Sequence, residues 1–318
     1  MSSIGNYTLP IQPWNIGKPE IIVQDSNQPS EARKLLQLAY DVFFERLTRI
    51  HRKVQASTKS SIKCEKPAWK NSLTVTLSVE TAQTKLTLDT DESYKLRVKA
   101  DGSTLTAVIE AKSFFGARHG LVTLGQLIAD DYACNSLQIV AHADIEDSPA
   151  YPLRGLLLDT SRNFFSVDSI LKIIDGMALN KMNTFHWHIT DTHSFPIFIS
   201  HQPEMTQYGA YSEQQIYTPR DVGTIVRYAT ARGIRVMPEF DQPAHCGHGW
   251  QWGPKQNKGS MAVCVGQEPW QSACVEPPCG QLNPLNDNVY EVLGNIYKSY
   301  LEMFDSDVFH LGGDEVCI

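Results

Sequence analysis

The sequence predicts an α/β protein in two parts: a sheet covered by helices, then strands and helices alternating as in a TIM barrel. Three observations predict it. Residues 19 to 148 carry period-two apolar alternation between two helical stretches. Past a proline-rich break at 147–152, short apolar strands alternate with helices. Every polar cluster in that second part follows a strand, where barrel enzymes build their sites. An open doubly wound sheet also binds beyond its strand ends, often through a glycine-rich first turn. Here that turn reads Leu158-Asp-Thr-Ser-Arg162, which favours the barrel.

The first part opens with a helix predicted over Glu31 to Arg52, with Ser30 as its cap and Leu35, Leu38, Val42 and Leu47 on one face. Leu73, Val75, Leu77 and Val79 then alternate with Thr and Ser, as a half-buried strand does. The same alternation predicts strands around Leu86 and Leu88, and around Tyr94, Leu96 and Val98. Asp101-Gly102 reads as the turn of a hairpin leading to Leu105–Glu110. Ser113 opens a second helix through Leu127. The second part predicts strands at Gly155–Leu158, Thr184–Ile189, Ile234–Pro238 and Val308–Leu311. Its helices are Val167–Leu179, Pro219–Arg232 (proline at the start, Gly233 at the end) and Asn288–Phe304.

A length of 318 residues fits about two domains. The net charge of −7, with no basic stripe, excludes a nucleic-acid or anionic-membrane partner on electrostatic grounds. No apolar run approaches the roughly 20 residues of a membrane span. Residues Met1 to Gly17 lack the basic start and apolar core of a signal peptide. Cys274 and Cys279 flank Val-Glu-Pro-Pro, so a local disulfide closes easily and points to an oxidising compartment. No second pair supplies zinc-ligand spacing. Asn6-Tyr7-Thr8 is an N-glycosylation sequon.

The candidate chemistry sits at the strand ends. Asp314 and Glu315 follow Gly312-Gly313, and the glycines permit a turn that brings both carboxylates to one pocket. One could serve as general acid while the other stays ionised, against the bland reading of two surface acids. His186 and His188 share a strand face; with Asp191 and His245 they are the material of a rival zinc site. Alternatively they pack inside the barrel with Trp187 facing the helices. Asp191 and His245 could pair and tune a neighbouring acid. Arg162 offers a fork for sugar hydroxyls, or a structural ion pair with Asp159. Trp250, Trp252 and Trp270, in one Gly- and Pro-rich segment, suit stacking on pyranose rings.

These residues resemble glycoside hydrolase family 20, the β-N-acetylhexosaminidases. His310-Leu-Gly-Gly-Asp-Glu315 resembles the catalytic signature. Arg154–Arg162, His186–Asp191 with Ser194-Phe-Pro196, and Pro238–His245 resemble the first three barrel strands. Phe115–Leu121 is similar to the helix closing the accessory α/β domain, and Cys274–Pro284 resembles insect, chitooligosaccharide-degrading members. The resemblance implies an N-terminal extension over 1–18, an accessory domain over 19–148 and a catalytic barrel over 149–318. It implies no cofactor and no metal, an N-acetylhexosamine-terminated oligosaccharide as substrate, and, for the complete enzyme, a secreted or lysosomal homodimer. Glu315 would be the acid and base, and Asp314 would hold the substrate's acetamido group. Arg162 would bind sugar hydroxyls, Asp191 and His245 would tune the acid, and Trp270, Val275 and Glu276 would shape the aglycone site. The family barrel has eight strands, so four imply the first half of a TIM (β/α)8 barrel. A chain so truncated is expected to be inactive alone, or to serve as a non-catalytic form that binds a glycan or partner. The family cysteine that pairs with the equivalent of Cys264 lies further past the glutamate than Cys317 does.

Overall fold

The structure, a computed structural model, describes residues 2–5, 7–25, 29–57, 71–131, 134 and 136–316. It divides into two compact units, Met1–Pro152 with Ala231–Gly233, and Leu153–Thr230 with Ile234–Ile318.

The first unit begins with strands β1 (Ser3–Ile4), β2 (Thr8–Ile11) and β3 (Glu20–Val23), then helix α1 (Pro29–Ser57). Strands β4 (Ser72–Val79), β5 (Tyr94–Asp101) and β6 (Thr104–Ala111) follow, then helix α2 (Phe114–Gln126) and strands β7 (Ile128–Asp131), β8 (Ser136–Val140) and β9 (His142–Asp147). The main sheet runs β1-β9-β5-β6-β4-β3, parallel across β3, β4 and β6 and antiparallel elsewhere; β2-β8-β7 form a second sheet. The alternation of β4 does what its sequence demands: Leu73, Val75, Leu77 and Val79 are buried while Thr74 faces water. Gly102, with φ of +57°, makes the β5–β6 turn. Ser113 caps α2 by position, but its hydroxyl donates to the Asp91 carbonyl instead. A Cβ on Gly120 would lie 2.6 Å from Ile109, so this helix packs tightly on the sheet because the position is glycine.

Two local expectations fail. The buried stripe of α1 is Ala32, Leu36, Ala39, Tyr40, Phe43 and Leu47, whereas Leu38 is 46% exposed. The aromatic residues and the two alanines move the core-facing stripe by about a third of a turn from the one its aliphatics suggested. Leu86 and Leu88 form no strand. Thr90 Oγ1 accepts from the Thr87 backbone N–H at 2.8 Å and from Gln83 Nε2 at 2.8 Å, which winds the segment into a turn.

The second unit alternates as predicted: β10 (Gly155–Asp159), α3 (Val167–Leu179), β11 (Thr184–Thr190), α4 (Glu204–Gly209), α5 (Pro219–Thr230) and β12 (Arg235–Phe240), then α6 (Asp287–Met303). A short hairpin, β13 (Ala262–Val263) with β14 (Gln281–Leu282), lies between β12 and α6. Ser166 Oγ accepts from Ser169 N to cap α3. Thr218 and Asp221 exchange hydrogen bonds at the start of α5 as a capping box. The parallel sheet β10-β11-β12 is an incomplete (β/α) barrel, not a closed one. The predicted fourth strand at Val308–Leu311 is a single parallel bridge, Glu239 to His310. His310 N donates to Pro238 O and Phe240 N to His310 O, after which Gly312 and Gly313, at φ of +64° and +102°, leave strand geometry. Among the described residues no helix is long and apolar enough to cross a membrane.

The α1 stripe is testable. Leu36→Ala should cost about 2–4 kcal/mol of unfolding free energy, and Leu38→Ala less than about 0.5 kcal/mol, in urea titrations. Equal costs would place the wrong face of α1 on the core.

Candidate active site

Strand β11 has two faces with opposite chemistry. Phe185, Trp187 and Ile189 are fully buried against the helices of the second unit, and Trp187 Nε1 donates to Thr160 Oγ1 at 2.8 Å. His186 and His188 point the other way. The β11–β12 register sets His188 beside Glu239. Both histidines lie on the face opposite Trp187, where each meets Glu239.

Asp191, in the turn after β11, is buried and gathers the site. Its Oδ2 lies 2.9 Å from Arg162 Nη2, 3.1 Å from His188 Nε2 and 3.1 Å from His245 Nδ1; its Oδ1 accepts from Thr192 N at 2.6 Å. Burial works against the charge, yet the bonds from His188 and His245 and the Arg162 charge hold this carboxyl below the usual carboxylate range. Burial also opposes the charge on His188, but bonds to Asp191 and Glu239 raise it to about 10, so the ring is an imidazolium near neutral pH. The Asp191 bond likewise raises His245, against its burial. Arg162 is held from β10 as well: Asp159 accepts from its backbone N–H at 3.0 Å and from Nη1 at 2.8 Å. Both sequence readings of Arg162 therefore meet in one residue, with Asp159 fixing one side of the fork.

The far nitrogen of His245 connects this cluster to Glu315. Nε2 lies 3.3 Å from Glu315 Oε2 and 3.9 Å from Asp241 Oδ2, both ion-pair distances without hydrogen-bond alignment. Asp314 joins the same spot, with ligand-type atoms of Asp241, His245 and Asp314 within 4.8 Å of one another. The turn that brings Asp314 and Glu315 together uses Gly312 and Gly313. A Cβ on Gly312 would lie 1.7 Å from Asp241 Oδ1, and Gly313 N donates to that same oxygen at 3.0 Å. Glu315 and His245 both take left-handed backbone, at φ of +54° and +58°. Burial raises Asp241 to about 6; the Gly313 N–H and His245 oppose the rise, and Asp314 and Glu239 add to it.

Sequence reasoning missed Glu239 and Asp241 as individual site residues, although both lie in a polar cluster recognised after a strand. Their signal is spacing: residues 239 and 241 alternate at the end of β12, as 186 and 188 do on β11. Glu239 receives His186 Nε2 at 2.5 Å and lies 3.2 Å from His188 Nδ1.

The tryptophan platform is corrected. Trp250 and Trp252 are 1% and 0% exposed and belong to the apolar core, so neither face is free to stack on a sugar. Of the three, only Trp270 is partly exposed; it lies four residues before the loop that the Cys274–Cys279 disulfide closes, in which Val275 and Glu276 are exposed. Among the described residues these three make no hydrogen bond or ion pair with the carboxylate–histidine cluster. Cys246 and Cys264 are free thiols; Asn6, Cys64 and Cys317 lie outside the described residues.

Three sets of ligand-type atoms cluster among the described residues: His186–Glu239–His310, His188–Asp191–Asp241 and Asp241–His245–Asp314. None unites His186, His188 and His245, the zinc set read from the sequence.

The family model described as glycosyl hydrolase family 20, catalytic domain, matches residues 151–318. The chain belongs to glycosyl hydrolase family 20. A second model, beta-acetyl hexosaminidase like, matches residues 6–127. The probable beta-hexosaminidase fdl of Drosophila melanogaster is 43% identical over 314 residues, covering 90% of this chain and 48% of that protein. The chitooligosaccharidolytic beta-N-acetylglucosaminidase of Bombyx mori is 50% identical over 234 residues, covering 73% and 38%. The chitobiase of Flavobacterium johnsoniae superposes with a TM-score of 0.72 at 26% identity, over 99% of this chain and 44% of that one. The chain thus spans less than half the length of these family 20 relatives.

Asp241 gives a pH prediction. Its pKa stands at about 6 when folded, above the ordinary 3.8. A raised acid favours folding below the unfolded value and loses that contribution as pH rises through the folded one. Between pH 4 and 7 the wild type should lose up to about 3 kcal/mol that Asp241→Asn keeps. The check is the difference in urea-unfolding free energy at the two pH values; a constant difference would contradict the shift.

Proposed function

We propose that the protein is a β-N-acetylhexosaminidase. It removes terminal non-reducing N-acetylglucosamine or N-acetylgalactosamine from chitooligosaccharides or glycoconjugates, with retention. The observation that carries the reading is the chain Asp191–His245–Glu315, with Asp314 clustered on the same histidine and Asp241. Family membership and the relatives' names support it. The family scheme is substrate-assisted: the 2-acetamido oxygen attacks the anomeric carbon and forms an oxazolinium.

In this assignment Glu315 protonates the leaving glycosidic oxygen and then takes the proton of the attacking water. Asp314 accepts the acetamido N–H and stabilises its developing positive charge. His245, pinned by Asp191, stands 3.3 Å from Glu315 and responds to its change of charge. Arg162 has both sides of its fork occupied by Asp159 and Asp191, which fixes the guanidinium while leaving it partly exposed to sugar hydroxyls. Trp270, Val275 and Glu276 shape the aglycone side and favour chitin oligomers. The Cys274–Cys279 disulfide supports an oxidising, secreted or lysosomal setting.

The test is release of N-acetylglucosamine from chitobiose and from a chromogenic glycoside. In the complete enzyme, Glu315→Gln should lower kcat on chitobiose by at least about 100-fold, and less on an aglycone that leaves without protonation. Asp314→Asn should lower kcat on both, because it acts on the acetamido group and not on the leaving group. Unchanged kcat on chitobiose in Glu315→Gln would exclude Glu315 as the acid.

A further inference from the structure

The Asp191 cluster has a second support that the proposed reaction does not use. Glu239, on β12, is 4% exposed, and its two oxygens face three histidines. Oε2 accepts from His186 Nε2 at 2.5 Å and stands 3.2 Å from His188 Nδ1, while Oε1 stands 3.3 Å from His310 Nδ1. His186 and His188 come from β11; His310 comes from the segment bridged to Glu239 itself. His186 and His310 rings pack with centroids 4.6 Å apart. From the helical side, the buried Tyr300 hydroxyl on α6 also feels the Glu239 charge.

We infer that Glu239 is a positioning residue, resting on the glycosidase reading, which orients His188 and through it the Asp191–Arg162 pair. His188 spans the two carboxylates, with Nδ1 toward Glu239 and Nε2 toward Asp191. A ring held at both nitrogens can neither rotate nor change tautomer without losing a charged partner. Arg162 Nη1 lies only 3.1 Å from His188 Nε2, and both are donors when His188 is charged. Asp191 and Asp159 compensate that crowding on the Arg162 side; Glu239 is the anion that faces the other ring nitrogen of His188, with Asp241 near the ring and Asp159 acting at longer range. Removing its charge leaves His188 hydrogen-bonded to Asp191 only, with Asp159 and Asp241 acting through space, against the burial and Arg162. The ring then loses its proton at lower pH and no longer donates firmly to Asp191. Glu239 also holds its own charge by this arrangement: burial opposes it, and bonds from His186 and His188 keep its carboxyl below the usual range.

The experiment compares Glu239→Gln and Glu239→Asp with wild type, each in the complete enzyme, in the glycosidase assay across pH. In Glu239→Gln, kcat/KM should fall about 10- to 100-fold, and its alkaline limb should move about one pH unit or more toward acid. Glu239→Asp should restore the wild-type limb even where its rate is low, because the charge is kept. A limb that stays put in Glu239→Gln, in a protein with wild-type thermal midpoint, overturns the inference. A second measurement needs neither activity nor a variant. In 15N-histidine spectra of the wild-type protein at pH 8, both His188 nitrogens should be protonated; a neutral ring overturns the inference. If the wild type hydrolyses no N-acetylhexosaminide, the functional reading fails while the His188 spectrum still decides the role of Glu239.

Discussion

A carboxylate taken out of water must be surrounded by donors, or it destabilises the fold by several kcal/mol. Asp191 meets that requirement on one oxygen with Arg162, His188 and His245, which come from three different places in the sequence, and on the other with the Thr192 N–H and His193. Arg162 follows β10, His188 belongs to β11, and His245 follows β12. The parallel register of the three strands brings their ends to one level, so one buried oxygen can collect all three. The site is a consequence of this neutralisation: satisfying Asp191 fixes the guanidinium on one side and His245 on the other.

The second constraint is space. Asp241 occupies the volume that a side chain at 312 would need and binds the next N–H along. The strand-end carboxylates are therefore placed by contact with β12 as well as by the flexibility of the glycines. This explains why the 308–311 segment pairs through one residue only. After His310 the chain must turn toward Asp241, and extended pairing stops. Asp241 in turn is buried, and Asp314 and Glu239 add to that effect, which is why an acid beside His245 still holds its proton to about pH 6.

Much of this was legible in the sequence. Proline-initiated α5, the alternating β4 and the Asp101-Gly102 turn carry their own local signals, and the structure keeps them. Asp314, Glu315, Arg162, Asp191 and His245 were legible from their strand-end positions and their family pattern. What was illegible depended on direction. The stripe on α1 turned on whether Tyr40 and Phe43 or Leu38 faced the sheet, and aliphatic periodicity alone does not decide that. Trp250 and Trp252 read as loop aromatics because their segment is rich in glycine, yet their large apolar area was better buried than exposed. Glu239 and Asp241 were hidden because two alternating acids show no partners in the sequence; the register beside β11 gives Glu239 its histidines, and the Gly313 turn with His245 gives Asp241 its own.

His245 and Glu315 share one more property. Both ends of the 3.3 Å contact rest on backbone that residues with side chains disfavour. Glycine would suit either position conformationally, and would delete the imidazole or the carboxylate. The local optimum for stability and the local requirement for chemistry therefore exclude one another at these two positions.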